Sequence, residues 1–259
     1  MRFEGKVALV TGAGRGIGKA AAMMMAREGA VVVFNDIRDD LLAQAREEAT
    51  AVGTEVLAIN ADVTRRPAVK AMVDQVIKSF GKIDILVNNV GGSLRTPRFI
   101  EQISLTDWWR VIDLCLTTQF LCCQAVVPHM QARKYGRIVN VSSVAGTFGE
   151  PLIWSPSYSA AKAGVLALTR QLALELGPDG ITVNAIAQGD TTSERTQEIW
   201  ASGLWPETME ELNQRYQRYP IKRPATPEEI AAVIVFLASD DSGYITGETV
   251  NCNGGQFMV

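Results

Sequence analysis

Tyr158 and Lys162 are the two side chains whose types and spacing point most directly to catalysis. They are four residues apart, so on one helix they share a face. A phenol has a pKa of about 10, and a nearby ammonium stabilises the phenolate and lowers that pKa. The pair could therefore act as an acid or base toward an alcohol or a carbonyl group. A Tyr-x-x-x-Lys spacing taken alone, however, usually means a packed tyrosine and a surface lysine.

Ser143 supports the catalytic interpretation of this pair. It follows an apolar run at 138–141 that predicts a strand, and its hydroxyl could hydrogen-bond the same substrate oxygen. A glycine turn, a serine after a strand, and a tyrosine and lysine at a helix start occur here in that order. This combination is far more specific than any one of its parts, and it predicts acid–base chemistry coupled to hydride transfer with a nicotinamide.

The stretch from Leu9 to Asp36 contains the elements that would position such a cofactor. An apolar run at 7–10 predicts a buried strand, and a glycine cluster at 11–18 follows it directly. Residues 19–28 predict a helix, and a second apolar run at 31–34 ends at Asp36. Glycines allow a tight turn, and the N–H groups of a helix start favour a pyrophosphate, although a glycine turn alone can be only a sharp corner.

Asp36 indicates which dinucleotide would bind. An acid at the tip of the second strand can accept hydrogen bonds from an adenosine ribose, and it repels a 2′-phosphate. Arg15 and Arg38 could in principle bind that phosphate. A carboxylate and a phosphate repel each other because both are negatively charged. We therefore give Asp36 more weight than the two arginines and predict NAD as the cofactor.

Composition and charge exclude several classes of protein. A net charge of −3 over 259 residues argues against a nucleic-acid binder. No uninterrupted apolar run approaches the ~20 residues that cross a bilayer, and the chain enters its first strand without room for a signal peptide. The four cysteines and single histidine lack metal-ligand spacing, so no metal is expected. We therefore expect a cytoplasmic protein that acts on a small molecule and binds neither nucleic acid nor membrane.

Strand and helix patterns alternate along the whole chain. This alternation predicts an α/β class, a single-domain Rossmann fold with a doubly wound, mostly parallel sheet. The domain would span residues 1–259 and carry a substrate flap around 190–222. Further strands are predicted at 54–60, 83–87, 138–141, 181–186 and 249–252, and further helices at 39–52, 67–80, 106–132, 158–176, 209–218 and 227–239.

These motifs together resemble the short-chain dehydrogenase/reductase family over nearly the whole chain. The matching stretches are 11–18, 62–63, 88–89, 136–146, 158–162, 181–185, 227–230, 244–247 and 253–255. The resemblance implies that Ser143 orients the substrate, that Tyr158 is the acid/base, and that Lys162 tunes the tyrosine and holds the nicotinamide ribose. It also implies a homotetramer, because the stretch at 227–230 and the stretch at 244–247 with 253–255 belong to segments that support one in the family.

The resemblance further implies a set of cofactor-binding residues. They are Gly12, Arg15, Gly16, Ile17, Gly18, Asp36, Asp62, Val63, Asn89, Tyr158, Lys162, Gly189 and Thr191. For Asp62, spacing alone leaves two interpretations equal, an adenine contact and a helix cap near Thr64; the resemblance favours adenine.

Two departures from the family pattern stand out. Cys115 occupies the place of an asparagine that helps to hold a proton-relay water, and a cysteine is expected to do this less well. Gln188 precedes Gly189 where the family has a proline, which makes the nicotinamide contacts near Gly189 and Thr191 less certain. A smaller subgroup, the bacterial dehydrogenases of cis-dihydrodiol carboxylates, shares these features and the Asn-Asn-Val-Gly-Gly strand end, and the chain resembles it more loosely.

The leading functional hypothesis is therefore an NAD-dependent oxidation of a secondary ring alcohol, such as a cis-dihydrodiol carboxylate that becomes a catechol. Arg95 could then bind the carboxylate, and Trp154 and Trp205 could form an apolar wall. The alternatives are a reductase or dehydrogenase of sugars, steroids or 3-oxoacyl thioesters, and a cofactor-binding protein without catalysis.

Overall fold

Seven parallel strands form one sheet in the order β3-β2-β1-β4-β5-β6-β7. The structure is a computed structural model that describes residues 1–150, 153–203 and 207–258. The strand order reverses between β1 and β4, and in open sheets of this type ligands bind at such a point, outside the carboxyl ends of the strands. The strands are β1 Val7–Thr11, β2 Val31–Asp36, β3 Val56–Asn60, β4 Ile85–Asn88, β5 Gly136–Val141, β6 Ile181–Gln188 and β7 Thr249–Cys252.

Helices cover both faces of the sheet, which explains why its strands are continuous apolar runs. Strand β1 shows the arrangement, because side chains alternate between faces along a strand. Ala8 and Val10 belong to the core under α1 and α9, whereas Val7 and Leu9 belong to the core under α3 and α5. The helices are α1 Gly16–Arg27, α2 Asp39–Ala51, α3 Arg66–Phe80, α4 Leu105–Ile112, α5 Thr118–Arg133, α6 Pro156–Leu176, α7 Glu194–Ala201, α8 Met209–Tyr216 and α9 Pro227–Leu237.

The predicted α/β class and doubly wound topology are confirmed, with every described strand pair parallel. Three local features differ from the prediction. The predicted helix at 106–132 begins after Ser104, whose hydroxyl accepts the Asp107 N–H at 3.0 Å, so Ser104 is the cap. A π-helical turn, Asp113–Thr117, also interrupts it between α4 and α5. Helix α7 was not predicted at all, because it has only eight residues and most of them are polar.

The stretch Leu105–Arg133 is long and apolar enough to cross a membrane by length and composition, and among the described residues it alone passes that test. Its buried residues Cys122, Cys123, Val126 and Met130 are part of the core beside α3 and the sheet. Packing therefore accounts for part of its apolar character, while Leu105, Trp109 and Phe120 remain exposed.

Candidate active site

A cleft of about 1420 Å³ opens at the carboxyl ends of the strands. It runs from the glycine turn and Asp36 past Tyr158 and Lys162 to helices α7 and α8. The predicted cofactor residues Ile17, Asp62, Val63, Asn89, Gly189 and Thr191 line it, together with Gly12, Arg15, Gly16 and Ser143. Gly18 lies just behind this lining and is buried.

The glycine turn brings α1 unusually close to the end of β4. Gly12 and Gly16 have φ of 61° and 59°, in the left-handed region that favours glycine. A Cβ on Gly18 would lie 2.6 Å from Nδ2 of Asn89, so no side chain fits there. The Asn89 amide instead donates to the carbonyls of Thr11 and Gly12 at 3.1 and 3.0 Å. Asn89 thus braces the turn that would hold a pyrophosphate.

The Asp36 carboxylate is fixed at the rim of the cleft by three backbone donors. The Gly14 N–H donates to Oδ2 at 3.1 Å, and the N–H groups of Ile37 and Arg38 donate to Oδ1 at 2.8 and 3.2 Å. Its position at the end of β2 is the one expected for a ribose acceptor.

Asp62 combines the two interpretations that the sequence left open. Its Oδ1 accepts hydrogen bonds from the backbone and hydroxyl of Thr64, at 3.0 and 2.6 Å, and the hydroxyl bond is the largest cause of a lowered Asp62 pKa. The carboxylate therefore orders the turn before α3, as a cap would. Because the residue also lines the cleft, the adenine contact stays a prediction.

Ser143, Tyr158 and Lys162 come together where β5 ends against α6. The Ser143 hydroxyl accepts the Ala145 N–H at 3.2 Å, and it lies close enough to the Tyr158 phenol to lower its pKa. The Lys162 ammonium donates to the Val141 carbonyl at 2.7 Å and lies 5.8 Å from the centre of the Tyr158 ring. A Cβ on Gly146 would lie 2.7 Å from the Lys162 backbone, so this glycine permits the close approach of the strand end to the helix.

The predicted lowering of the Tyr158 pKa is wrong for this structure. Burial is the largest influence and raises the pKa of the phenol, and it outweighs the Ser143 hydroxyl and the charge of Arg195, which lower it. Burial also lowers the pKa of Lys162. This residue is only 2% exposed, and its ammonium donates to the Val141 carbonyl. The sequence shows that the two side chains share a face, but not how deeply both are buried.

Cys115 takes a defined place in the site. It lies in the π-helical turn and is fully buried, and its thiol exchanges two hydrogen bonds with the peptide of Gly92, both at 3.3 Å. The expectation from the sequence concerned only how well Cys115 could hold a proton-relay water. The structure shows a different role for its thiol, which fixes the Gly92 backbone close to Lys162.

Helix α7 contributes residues that sequence reasoning missed. The Gly16 N–H at the start of α1 donates to Oε2 of Glu194 at 3.0 Å. The Arg195 guanidinium donates to the Gly91 carbonyl at 2.9 Å, and Arg15 pairs with Glu198 at 2.6 Å. The usable signal was the helix start after Ser193, whose hydroxyl accepts the Thr196 N–H as a capping residue does.

A second missed group joins the end of β6 to α8. Arg215 pairs with both Asp190 and Glu207 and also donates to the Tyr219 hydroxyl at 3.0 Å. Burial is the largest influence on Asp190 and raises the pKa of its carboxyl, although Arg215 opposes this. The network holds α8 over the same cleft that Tyr158 lines.

The predicted substrate residues are only partly brought to the site. Arg95 lines the cleft but is exposed, in a left-handed conformation with φ of 55°. Trp154 also lines it and meets Phe148 edge-on, with ring centres 6.3 Å apart. Trp205 lies outside the described residues. Within the described residues no cluster of three or more His, Cys, Asp or Glu side chains could hold a metal ion.

The fold and the site together are those of a dinucleotide-dependent oxidoreductase, and a comparison with family models identifies the family. A family model described as Enoyl-(Acyl carrier protein) reductase matches residues 12–256. The chain belongs to the short-chain dehydrogenase/reductase family and is an oxidoreductase.

Particular relatives are similar over their whole length. The 3-oxoacyl-(acyl-carrier-protein) reductase FabG of Thermotoga maritima is 40% identical, with 98% of this chain and 99% of that protein covered. The (2S)-((R)-hydroxy(phenyl)methyl)succinyl-CoA dehydrogenase subunit BbsD of Thauera aromatica is also 40% identical, with coverages of 100% and 99%. A solved 7α-hydroxysteroid dehydrogenase, complexed with NADH and 7-oxo glycochenodeoxycholic acid, is 33% identical with a TM-score of 0.90 and coverages of 98% and 95%. These similar proteins are not dihydrodiol dehydrogenases, so the narrower resemblance gains no support from them.

Proposed function

We propose that this protein is an NAD(H)-dependent enzyme that interconverts a secondary alcohol and a ketone, and that its substrates are 3-hydroxyacyl or 3-oxoacyl thioesters. The observation that carries the reaction type is the grouping of Ser143, Tyr158 and Lys162 in the lining of one wide cleft, with the Lys162 ammonium held by the Val141 carbonyl. The substrate class is supported by the two relatives that are 40% identical, since the name of each describes a thioester of acyl carrier protein or coenzyme A.

The residues of the cleft fit a nicotinamide dinucleotide, which supplies or accepts a hydride. The Gly16 N–H at the start of α1 already hydrogen-bonds a carboxylate, so this helix start has the geometry to hold an anion. Asp36 would accept the ribose hydroxyls, and Asn89 would keep the glycine turn open to the pyrophosphate.

The choice of NAD over its phosphorylated form is supported by the charges around Asp36. Of the two arginines beside it, Arg38 forms two bonds with Asp40, at 2.8 and 2.5 Å, and Arg15 pairs with Glu198. Each cation that could attract a 2′-phosphate therefore already has a carboxylate partner, while Asp36 repels that phosphate.

Tyr158 is assigned the proton transfer. In reduction its phenol donates a proton to the carbonyl oxygen of the substrate, and in oxidation the phenolate removes the hydroxyl proton. Ser143 would donate a second hydrogen bond to that oxygen, and the Lys162 ammonium would supply positive charge as the phenolate forms. A phenol with a pKa of about 10 is already protonated at neutral pH, and burial raises the pKa of Tyr158 further, so the side chain carries the proton that reduction requires.

The dihydrodiol carboxylate hypothesis is the weaker candidate. Its residue-level support is Arg95, and that side chain is exposed. A thioester needs room for a long carrier, and the cleft is wide enough to be lined by both the loop at 93–98 and helix α8.

The test is a nicotinamide absorbance assay with acetoacetyl-CoA, a cis-dihydrodiol carboxylate and simple secondary alcohols. We expect reduction of the thioester with NADH to give the highest kcat/KM by at least an order of magnitude. A higher kcat/KM for the diol would contradict the proposed substrate class, and absence of turnover with every substrate would favour a cofactor-binding protein without catalysis.

A homotetramer and a cytoplasmic location remain predictions. The homotetramer is supported by large apolar side chains exposed near the segments that the family uses for assembly, among them Tyr244 and Phe236. Light scattering of the purified protein should give four times the mass of one chain.

A further inference from the structure

Glu198 on α7 pairs with Arg15, a residue that lines the same cleft as Asp36. Its Oε1 is 2.6 Å from Nη1 of Arg15. The ion pair with Arg15 is the largest cause of a lowered Glu198 pKa, and the charges of Arg38 and Arg195 lower it further. The carboxylate therefore contacts Arg15 and lies in a positive field to which the other two arginines contribute.

Arg15 is the arginine best placed to bind a ribose phosphate. It directly precedes Gly16 at the start of α1, and it lines the cleft together with Asp36 and Leu41. Its side chain is only 23% exposed, whereas Arg38 is 50% exposed and bound to Asp40. A partly buried guanidinium binds an oxyanion more strongly than an exposed one.

We infer that Glu198 is a second determinant of cofactor choice, which acts together with Asp36 to exclude a 2′-phosphate. Asp36 repels the phosphate directly from the tip of β2. Glu198 is a positioning residue that keeps Arg15 engaged, so that the phosphate would have to compete with a carboxylate for this cation. The inference rests on the proposed NAD specificity and assigns part of it to a helix of the flap.

Glu194 provides a matched control on the same helix. Its carboxylate accepts the Gly16 N–H at 3.0 Å, at the helix start that would face the pyrophosphate. The pyrophosphate is common to both dinucleotides, so removing the charge of Glu194 should change the affinity for both by the same factor. Only Glu198 should change their ratio.

The experiment measures equilibrium dissociation constants of NADH and NADPH by nucleotide fluorescence for the wild type, Glu198→Gln, Glu194→Gln and Asp40→Asn. In Glu198→Gln we expect the NADPH Kd to fall about three- to tenfold relative to that of NADH, a modest factor because Glu198 is 60% exposed and solvent screens the pair. The change in ratio should shrink in 1 M salt, since it is electrostatic. Equal melting temperatures would show that the variants are folded.

The inference would be overturned if Glu198→Gln changed the Kd values of NADH and NADPH by the same factor. It would also be overturned if only Asp40→Asn changed the ratio of the two Kd values, because the effect would then belong to Arg38. A wild type that binds NADPH at least as tightly as NADH would contradict the proposed cofactor instead. The two failures are distinguishable, because the inference is judged by the change in ratio and the proposed function by the wild-type ratio itself.

Discussion

The Cys115 thiol and the Gly92 peptide form a reciprocal pair of hydrogen bonds, in which Sγ donates to the carbonyl and accepts from the N–H, each at 3.3 Å. This pair joins the π-helical turn between α4 and α5 to the chain that leaves β4. A Cβ on the neighbouring Gly91 would lie 3.0 Å from Nζ of Lys162, so the joined backbone forms one wall around the lysine. The thiol therefore controls the position of the main chain at the catalytic end of the cleft.

Replacing Cys115 should separate hydrogen bonding from packing. Cys115→Ser retains a donor and an acceptor, so we expect a loss in unfolding free energy below about 1 kcal/mol and a kcat close to that of the wild type. Cys115→Ala leaves the Gly92 peptide without its partner and opens a small cavity, and it should cost about 1–3 kcal/mol and lower kcat. Urea denaturation and steady-state kinetics measure the two quantities. Identical behaviour of both variants would show that the hydrogen bonds are unimportant.

Tyr158→Phe should abolish turnover and leave the NADH dissociation constant nearly unchanged. The ring keeps its packing, but the substrate oxygen loses its proton donor. Lys162→Ala should impair both turnover and NADH binding, because it removes a buried ammonium that is predicted to hold the ribose. Substantial activity in Tyr158→Phe would refute the assignment of the acid/base.

Two flap residues should shift the pH dependence of alcohol oxidation in opposite directions. Oxidation requires the phenolate, so its rate rises as pH approaches the raised pKa of Tyr158. The charge of Arg195 lowers that pKa and the charge of Asp190 raises it. Arg195→Met should therefore move the rising limb of kcat/KM to higher pH, and Asp190→Asn should move it to lower pH.

Glu210→Gln, at an exposed position of α8, serves as the charge control for these profiles and should leave the limb in place. Shifts of the same sign in Arg195→Met and Asp190→Asn would indicate a general disturbance of the flap rather than an electrostatic effect on Tyr158.

Arg95→Met should raise the KM of a substrate with a free carboxylate by less than about tenfold, because an exposed ion pair is screened by solvent and contributes at most about 1 kcal/mol. It should leave an uncharged substrate of similar size unaffected. A parallel series of KM values for the two substrates measures this difference. A rise of two orders of magnitude for the carboxylate would restore Arg95 as its principal anchor.

Asp84 should make the protein sensitive to acid. Burial would raise the pKa of its carboxyl, but hydrogen bonds from Lys82, the Val7 N–H and Arg133, at 2.8, 2.8 and 2.6 Å, outweigh it and lower the pKa. A group with a lowered folded-state pKa stabilises the protein above its unfolded pKa, about 3.9, and this contribution is lost as pH falls toward the folded value.

Asp84→Asn should accordingly cost about 1–3 kcal/mol of unfolding free energy at pH 7, since it removes the countercharge of the partly exposed Lys82 and Arg133 and weakens the acceptor of the buried Val7 N–H. The difference from the wild type should narrow in urea titrations at progressively lower pH. A difference that is independent of pH would mean that Asp84 stabilises the fold through its shape rather than its ionisation.

Local spacing in the sequence was enough to predict the parts of the site that lie within one element. Tyr158 and Lys162 share a face because the helix repeat dictates it, and the glycines at 11–18 specify the turn because few other residues adopt its backbone. Asp36 follows a buried strand and so had to lie at the edge of the sheet. The same periodicities predicted the α/β fold and its doubly wound topology.

Tertiary structure alone decided the contacts between distant elements. Glu194 reaches the Gly16 N–H across 178 residues, and nothing in the short, polar stretch around it predicts where α7 lies. Three other features could not be predicted from the sequence. They are the depth of burial that raises the pKa of Tyr158, the pairing of Arg215 with Asp190, and the hydrogen bonds between Cys115 and Gly92. Each depends on how whole elements pack in three dimensions, and a residue's local sequence does not record the desolvation or the partners that such packing imposes on it.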